Sequence, residues 1–272
     1  MKHFVWIAML ATYGCGAAGG GDDDDAPAGD GSPVAADAAP PPERVAQLVR
    51  GDDKPRLVLE IDAVAGFEPR AGATADLTDL LEEILDKPAG VDAVADGAIA
   101  SRGADHAWTD AELFDLGDDS FDLAVGADTI KLHVMFVDGH SARDGDSSVI
   151  LGLAWSHTHL VLFKATIERV CGGAIVPPLL RDQLCESAEL AIWTHEVGHL
   201  IGLVDNGLAM VEPHRDPDHG AHDDSDACVM YWAYEGDALI DTLADRLIAG
   251  NDAPLPFDDA CLADIARVRD AP

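Results

Sequence analysis

The stretch His195-Glu196-Val197-Gly198-His199 carries the strongest signal in this chain. On a helix, residues i and i+4 lie one above the other, so the two imidazoles of H-E-x-x-H can bind one ion. Zinc prefers nitrogen ligands in a tetrahedral shell, and a catalytic zinc keeps one position open for a water whose pKa it lowers. The pattern therefore predicts a zinc site at which Glu196 is the general base for hydrolysis of peptides.

A helix is expected here on independent grounds. Pro177-Pro178 excludes helix just upstream, and Asp182 is a suitable N-cap. Between Gln183 and Ile201, Gly198 is the one helix-breaking residue. Apolar residues at helical spacing predict a core face on this helix: Leu190, Trp193, Val197, Leu200 and Ile201. The two histidines fall on a different face, which we expect to line a cleft.

Two further features follow the histidines. Gly202 suits a helix that must stop and turn sharply, because glycine adopts positive φ without penalty. Downstream, Met230 lies in the tight apolar segment Cys228-Val229-Met230-Tyr231. From His195 to Tyr231 the chain resembles the metzincin zinc metallopeptidases, which share an extended zinc motif, a glycine turn and a later Met-turn.

The resemblance extends in outline from Leu57 to Arg269 and implies an α+β fold. That fold has a mixed twisted sheet, an active-site helix, a Met-turn at Met230 and a C-terminal helix. It also implies a Zn²⁺ cofactor and a peptide or protein substrate. Tyr231 is then placed to help hold the oxyanion of the reaction, and the alternative is that Tyr231 packs beside Trp232.

The third zinc ligand has two main candidates. Strict spacing selects Asp205, as in the snapalysin-like branch, and carboxylate oxygen is an acceptable zinc ligand. The segment His222-Asp223-x4-Cys228-x-Met230 instead resembles the archaemetzincin arrangement, with Asp223 in place of a cysteine. We favour His222, because histidine is the commoner third ligand. His214 and His219 remain less favoured candidates in the polar segment 206–221.

Two other interpretations stay open. A gluzincin-type site would use a glutamate such as Glu235 as the third ligand. A surface lipoprotein that only binds metal or a partner would need no base, and the presence of Glu196 argues against it.

The N-terminal region indicates export. Residues 1–15 combine a basic start, an apolar run too short to span a bilayer and Cys15 at the position of a bacterial lipidation site. Ordinary secretion with cleavage nearby is the alternative. Residues 16–42 are rich in Gly, Ala, Asp and Pro and predict a flexible tether. Residues 43–272 then form the metallopeptidase domain, anchored at a cell surface or outer membrane through lipid, or secreted.

The chain has 51 acidic and 17 basic residues in 272, and its formal net charge is −34. This charge makes nucleic acid and anionic lipid surfaces poor partners. We expect a monomer. If Cys15 is lipidated, four cysteines remain, and in an exported protein they predict two disulfides, for which we favour Cys171 with Cys185 and Cys228 with Cys261.

Further elements follow from periodicity and turn signals. The segment Val149–Ala154 is the candidate edge strand for pairing with an extended substrate. The predicted strands are Arg56–Val64, Ile130–Val137, Val149–Trp155 and His159–Ile167, and the last two are a candidate hairpin. The predicted helices are Leu77–Leu85 with a Thr74 or Asp76 cap, Trp108–Leu116 and Asp258–Arg269.

Overall fold

A mixed sheet lies at the centre of the molecule. The computed structural model describes residues 42–145 and 148–271. The strands of the main sheet there are β1 (Arg56–Val64), β2 (Val91–Ile99), β4 (Thr129–Val137), β6 (Gly152–Trp155) and β7 (His159–Phe163). Their order is β2-β1-β4-β7-β6, with β6 antiparallel to β7 and the other neighbours parallel. A separate two-stranded sheet pairs β3 (Ala107–Trp108) with β5 (His140–Ser141).

Helices flank the sheet. They are α1 (Pro42–Val49), α2 (Ala71–Ile84), α3 (Asp110–Ser120), α4 (Lys164–Gly173), α5 (Arg181–Ile201), α6 (Ala238–Ile248) and α7 (Asp259–Arg269). Two short 3₁₀ turns cover Pro178–Leu180 and Trp232–Glu235. Among the described residues, no helix has the length and apolar character needed to cross a membrane.

Several predicted elements are confirmed with small shifts. Strand β1 has the predicted bounds, and Asp258 caps α7 by accepting a hydrogen bond from the Cys261 amide. Helix α5 begins at Arg181, so Asp182 lies in its first turn instead of at the N-cap. There its negative charge still favours the positive end of the helix dipole. The predicted core face of α5 is buried throughout.

Other predicted boundaries are wrong. Helix α2 begins at Ala71, and Thr74 lies inside it with its hydroxyl donating to the Arg70 carbonyl at 3.0 Å. The helix predicted from Trp108 starts at Asp110, because Thr109 forms a capping box. The strand predicted to Ile167 ends at Phe163. There Lys164 begins α4, and its buried amine pairs with Glu189 of α5.

The predicted hairpin of β6 and β7 is confirmed, and β6 lies at the edge of the sheet. Its regular part starts at Gly152, three residues later than the predicted start at Val149. Just before β6, the Leu151 amide donates a hydrogen bond to the Glu235 carbonyl at 3.0 Å. The Glu235 segment is thus joined to this edge by an isolated hydrogen bond and not by regular strand pairing.

Helix α5, which carries the H-E-x-x-H motif, is the most enclosed helix of the described chain. It packs against β6, β7, α2, α4 and α6, and Trp193 meets Phe136 of β4 edge to face at 5.1 Å. The predicted disulfide Cys171–Cys185 joins α4 to α5 and is confirmed. The predicted bond between Cys228 and Cys261 is wrong, since both thiols are free and buried with Sγ atoms 3.7 Å apart.

The predictions for the N-terminal region, including residues 1–15, the lipidation site Cys15 and nearly all of the tether 16–42, lie outside the described residues. Only Pro42 of the tether is described, and it begins α1.

Candidate metal centre

Helix α5 brings two histidines to one point. His195 and His199 are one turn apart, and their Nε2 atoms are 3.1 Å from each other. Both side chains are buried, because the surrounding elements cover this face of the helix as well as its core face. The expected convergence of the two imidazoles is therefore present, but in an enclosed site instead of an open cleft.

The glycine turn ends α5 as predicted but does not bring Asp205 to the histidines. Gly202 has φ of +89° and caps the helix, and its amide bonds to the carbonyls of Gly198 and His199. Val204 and Asp205 also have positive φ. The Asp205 side chain is 51% exposed and faces Arg215 at 3.6 Å. Strict motif spacing thus leads to a solvated carboxylate away from the cluster.

His222 returns to the site after the loop 206–221. Its ring centre lies 5.2 Å from that of His195 and 4.9 Å from that of His199, and its side chain is fully buried. The next residue, Asp223, holds the segment in place, since its amide donates to the Met230 carbonyl at 2.9 Å. A short bridge between the His222 segment and the Met230 segment thereby positions the third imidazole.

A fourth group, Glu235, joins the three histidines. Its Oε1 lies 2.9 Å from Nε2 of His222, 3.7 Å from that of His195 and 3.8 Å from that of His199. Burial alone would raise the pKa of Glu235, but the three neighbouring imidazoles outweigh it and hold the pKa well below its ordinary value. The sequence offered Glu235 as a replacement for His222, whereas the structure brings both together.

Two of the imidazoles are oriented by backbone carbonyls. The Nδ1 of His195 lies 2.7 Å from the Val229 carbonyl, and that of His222 lies 2.5 Å from the His219 carbonyl. A carbonyl only accepts, so each Nδ1 carries the proton and each Nε2 keeps a lone pair toward the cluster. Burial lowers the pKa of His199 to about 3, which keeps this imidazole neutral as a ligand must be.

Glu196 lies beside this cluster with both carboxylate oxygens buried and without a hydrogen-bond partner among the described residues. Its side chain packs against Gly152 of the edge strand, where an added Cβ would lie 2.6 Å from Oε1. Burial, and then the charge of Glu235, raise the pKa of Glu196 well above its ordinary value. A buried carboxylate without a partner is costly, so its position here points to a cation or a water as its companion.

Met230 packs directly under the motif. A Cβ added to Gly198 would meet the Met230 sulfur at 2.3 Å and Phe257 at 3.1 Å, so glycine is required at this position for close packing. Tyr231 is partly exposed and has Trp232 and Tyr234 as ring neighbours at 5.7 and 5.3 Å. These contacts match its alternative packing role, and its catalytic role stays a prediction.

The donor set fits a zinc ion. Two atoms that each lie about 2.0–2.1 Å from one ion can be at most about 4.2 Å apart. The distance between the Nε2 atoms of the two α5 histidines satisfies this limit. So do the three distances from Oε1 of Glu235 to the histidine Nε2 atoms. Neutral imidazoles with an anionic oxygen are donors that zinc accepts. His195, His199, His222 and Glu235 thus form a buried group able to hold a metal ion.

The other loop histidines lie outside this group. His214 is buried between two carboxylates, with Nδ1 2.6 Å from Asp223 and Nε2 3.0 Å from Asp264. Burial opposes its charged form, but these two partners prevail and raise the pKa of His214. His219 stacks on Trp232 at 4.0 Å. No local pattern predicts the pairing of His214 with Asp264, because the two residues are 50 positions apart.

A cavity of about 200 Å³ adjoins Glu235. Its lining includes Val149, Ile150, Trp232, Ala238 and Arg143 together with Glu235 itself. Apolar walls with a few polar groups are typical of sites that bind small molecules or side chains.

Comparison with known proteins gives two distant structural likenesses. A zinc-dependent peptidase from Methanocorpusculum labreanum is 16% identical with a TM-score of 0.47, over 77% of this chain and 99% of that chain. Archaemetzincin from Methanopyrus kandleri is 15% identical with a TM-score of 0.44, over 79% and 96%. No protein-family model and no curated protein matches the chain.

Proposed function

We propose that this protein is a zinc-dependent endopeptidase with His195, His199 and His222 as metal ligands and Glu196 as general base. The observation that carries the proposal is the convergence of three buried imidazoles next to a buried carboxylate that has no partner among the described residues. A helix that only needed stability would not place two histidines and a charged glutamate in its most enclosed turns.

The side chains divide the chemistry between them. Bound zinc supplies Lewis-acid activation of water and polarises the carbonyl to be cleaved. Glu196, whose pKa burial raises, accepts a proton from the attacking water and returns it to the leaving amine nitrogen. The Val229 and His219 carbonyls keep two imidazoles in one tautomer. An extended peptide would pair with the edge strand β6, which runs against Glu196 at Gly152.

The decisive experiment replaces Glu196 by Gln and by Ala. Both variants remove the base and leave the four-group cluster in place, so zinc content by mass spectrometry should stay near that of the wild type while casein hydrolysis falls by about 10²-fold or more. Glu212→Gln, an exposed glutamate in the loop, is the matched control. Full activity in Glu196→Gln would refute the mechanism.

A second candidate function is metal or partner binding without catalysis, on a surface lipoprotein. The position of Glu235 favours it, because four protein donors are typical of structural zinc sites. The same experiment separates the two functions, since a binding protein would hold zinc and cleave no peptide in either form.

We also propose export with a lipid anchor at Cys15, on the basis of the basic start, the apolar run and the position of this cysteine. Cys15→Ser or globomycin treatment should release the protein from membranes and remove a lipid mass from the N-terminal peptide. Unchanged fractionation without a lipid mass in the untreated wild type would exclude the anchor and leave ordinary secretion.

A further inference from the structure

Glu235 occupies the position where the three imidazoles converge. Its Oε1 is within 3.8 Å of all three Nε2 atoms, and the side chain is 9% exposed. Glu196, the other buried carboxylate, faces Gly152 and does not belong to the group of four donors. Of the two glutamates, only Glu235 therefore has its oxygen among the ligand atoms.

The backbone holds Glu235 in this place. Its carbonyl accepts a hydrogen bond from Leu151 at 3.0 Å, next to the edge strand. At the following residue, a Cβ added to Gly236 would lie 3.0 Å from the Val149 carbonyl, so the chains are in close contact there. The short 3₁₀ turn Trp232–Glu235 thus delivers the carboxylate from a fixed backbone, and movement of the carboxylate needs only side-chain rotation.

Four protein donors complete a tetrahedral zinc shell, whereas a hydrolytic site leaves one position for water. With Glu235 in the shell, the position needed by water is filled. Glu235 also lines the adjoining cavity of about 200 Å³. The carboxylate therefore has room to rotate away from the histidines without a change in the backbone.

We propose that Glu235 is a fourth protein ligand that closes the metal site at rest and yields its position when an incoming ligand enters from the cavity. This inference rests on the proposed zinc site and adds self-inhibition to it. It assigns Glu235 a role beside His222, not in its place.

Anion binding to the cobalt-substituted protein tests the inference without any catalytic readout. Co²⁺ replaces zinc and reports its ligands by visible absorption, and azide is the probe for an open position. If Glu235 fills the fourth ligand position, azide can bind only to those molecules in which this position is open. The apparent azide affinity of the wild type is then the intrinsic affinity multiplied by the open fraction. Glu235→Gln and Glu235→Ala should then bind azide at least about tenfold more tightly than the wild type, and Glu212→Gln should match the wild type.

The two glutamate variants cover different risks. Glu235→Gln keeps the volume of the side chain, while Glu235→Ala removes every donor atom. Thermal unfolding and the cobalt spectrum establish that each variant is folded and loaded. The inference is overturned if both cobalt-loaded variants bind azide less than tenfold more tightly than the wild type. Glu235 would then be only a hydrogen-bond acceptor for His222.

The proposed function fails in a different way. A wild-type protein that binds neither Co²⁺ nor Zn²⁺ would overturn both proposals. Tighter azide binding in the Glu235 variants without casein cleavage in any form would support the closed shell and refute the peptidase.

Discussion

Gly198 packs closely against Met230 beneath the histidine cluster. Alanine is the better helix former by about 1 kcal/mol, but at Gly198 its Cβ would lie 2.3 Å from the Met230 sulfur, which is fully buried. Overpacking of this kind costs about 1–3 kcal/mol. We expect Gly198→Ala to lower the free energy of unfolding and to weaken zinc binding, because the strain falls between the two histidines.

Gly172 offers a matched control. It lies in α4, and a Cβ there would have no atom within 4 Å. Gly172→Ala should therefore raise the free energy of unfolding by up to about 1 kcal/mol. Urea unfolding of both variants measures the difference, and equal effects of the two substitutions would mean that the contact with Met230 relaxes freely.

The third ligand is also decided at single residues. His222→Ala should lose zinc during dialysis, because it removes a buried donor from the cluster. Asp205→Ala should retain it, because that carboxylate is half exposed and faces Arg215. Residues outside the shell typically change metal affinity by only about 10–100-fold. Zinc competition with a chromophoric chelator gives both affinities, and the reverse order would favour the strict motif spacing.

At the scale of elements, the loop 206–221 depends on His214. This imidazole bridges Asp223, next to His222, and Asp264 of α7. Removing one partner from a buried charged group costs about 3–5 kcal/mol. His214→Leu should lower stability by about that amount and reduce zinc affinity by displacing His222.

In His219→Leu the backbone carbonyl that accepts a hydrogen bond from His222 remains, so a far smaller loss of stability and zinc affinity is expected there. Thermal unfolding with and without zinc compares the two, and equal losses would exclude a special role for His214.

The elements that periodicity predicts are those with one clear burial pattern. Strand β1 is almost wholly buried, and its predicted bounds are confirmed. No strand is predicted at β2, because this edge strand reads VDAVADGAI and is largely exposed. The apolar run through Ile167 predicted strand, yet helix α4 begins at Lys164, whose amine pairs with Glu189 of α5. Such a long-range pair leaves no local signal.

At the scale of the molecule, local spacing predicts His195, Glu196 and His199 because a helix fixes their geometry. His222 and Glu235 come from segments that only the folded chain brings together. The sequence could therefore offer them as alternative third ligands but could not predict that both join one cluster. Their convergence depends on the Asp223–Met230 bridge and on the Leu151–Glu235 contact, both between residues distant from the helix motif.

Acid stability is a property of the whole molecule that one buried pair should influence. His159 lies in the sheet with Nδ1 3.0 Å from Nδ1 of His133, whose Nε2 is 2.8 Å from Asp62. Burial, followed by the charges of His133, Arg44 and Lys131, lowers the pKa of His159 from 6.5 to about 3. The folded protein therefore keeps this imidazole neutral in a pH range where the unfolded chain protonates it.

The sign of the effect follows from proton uptake. Between about pH 6.5 and 3 the unfolded state binds one more proton at His159 than the folded state does. The free energy of unfolding therefore decreases as the pH is lowered, by up to about 1.4 kcal/mol per pH unit. Acidification also reduces the repulsion within a chain of net charge −34, which acts in the opposite direction.

The wild type must therefore be compared with His159→Asn, whose amide can still donate to His133. Urea unfolding of the metal-free proteins from pH 7 to 3.5 should show the steeper decline in the wild type, because only the wild type carries this titrating group. Parallel curves for the two proteins would mean that His159 has the same pKa in the folded and the unfolded state.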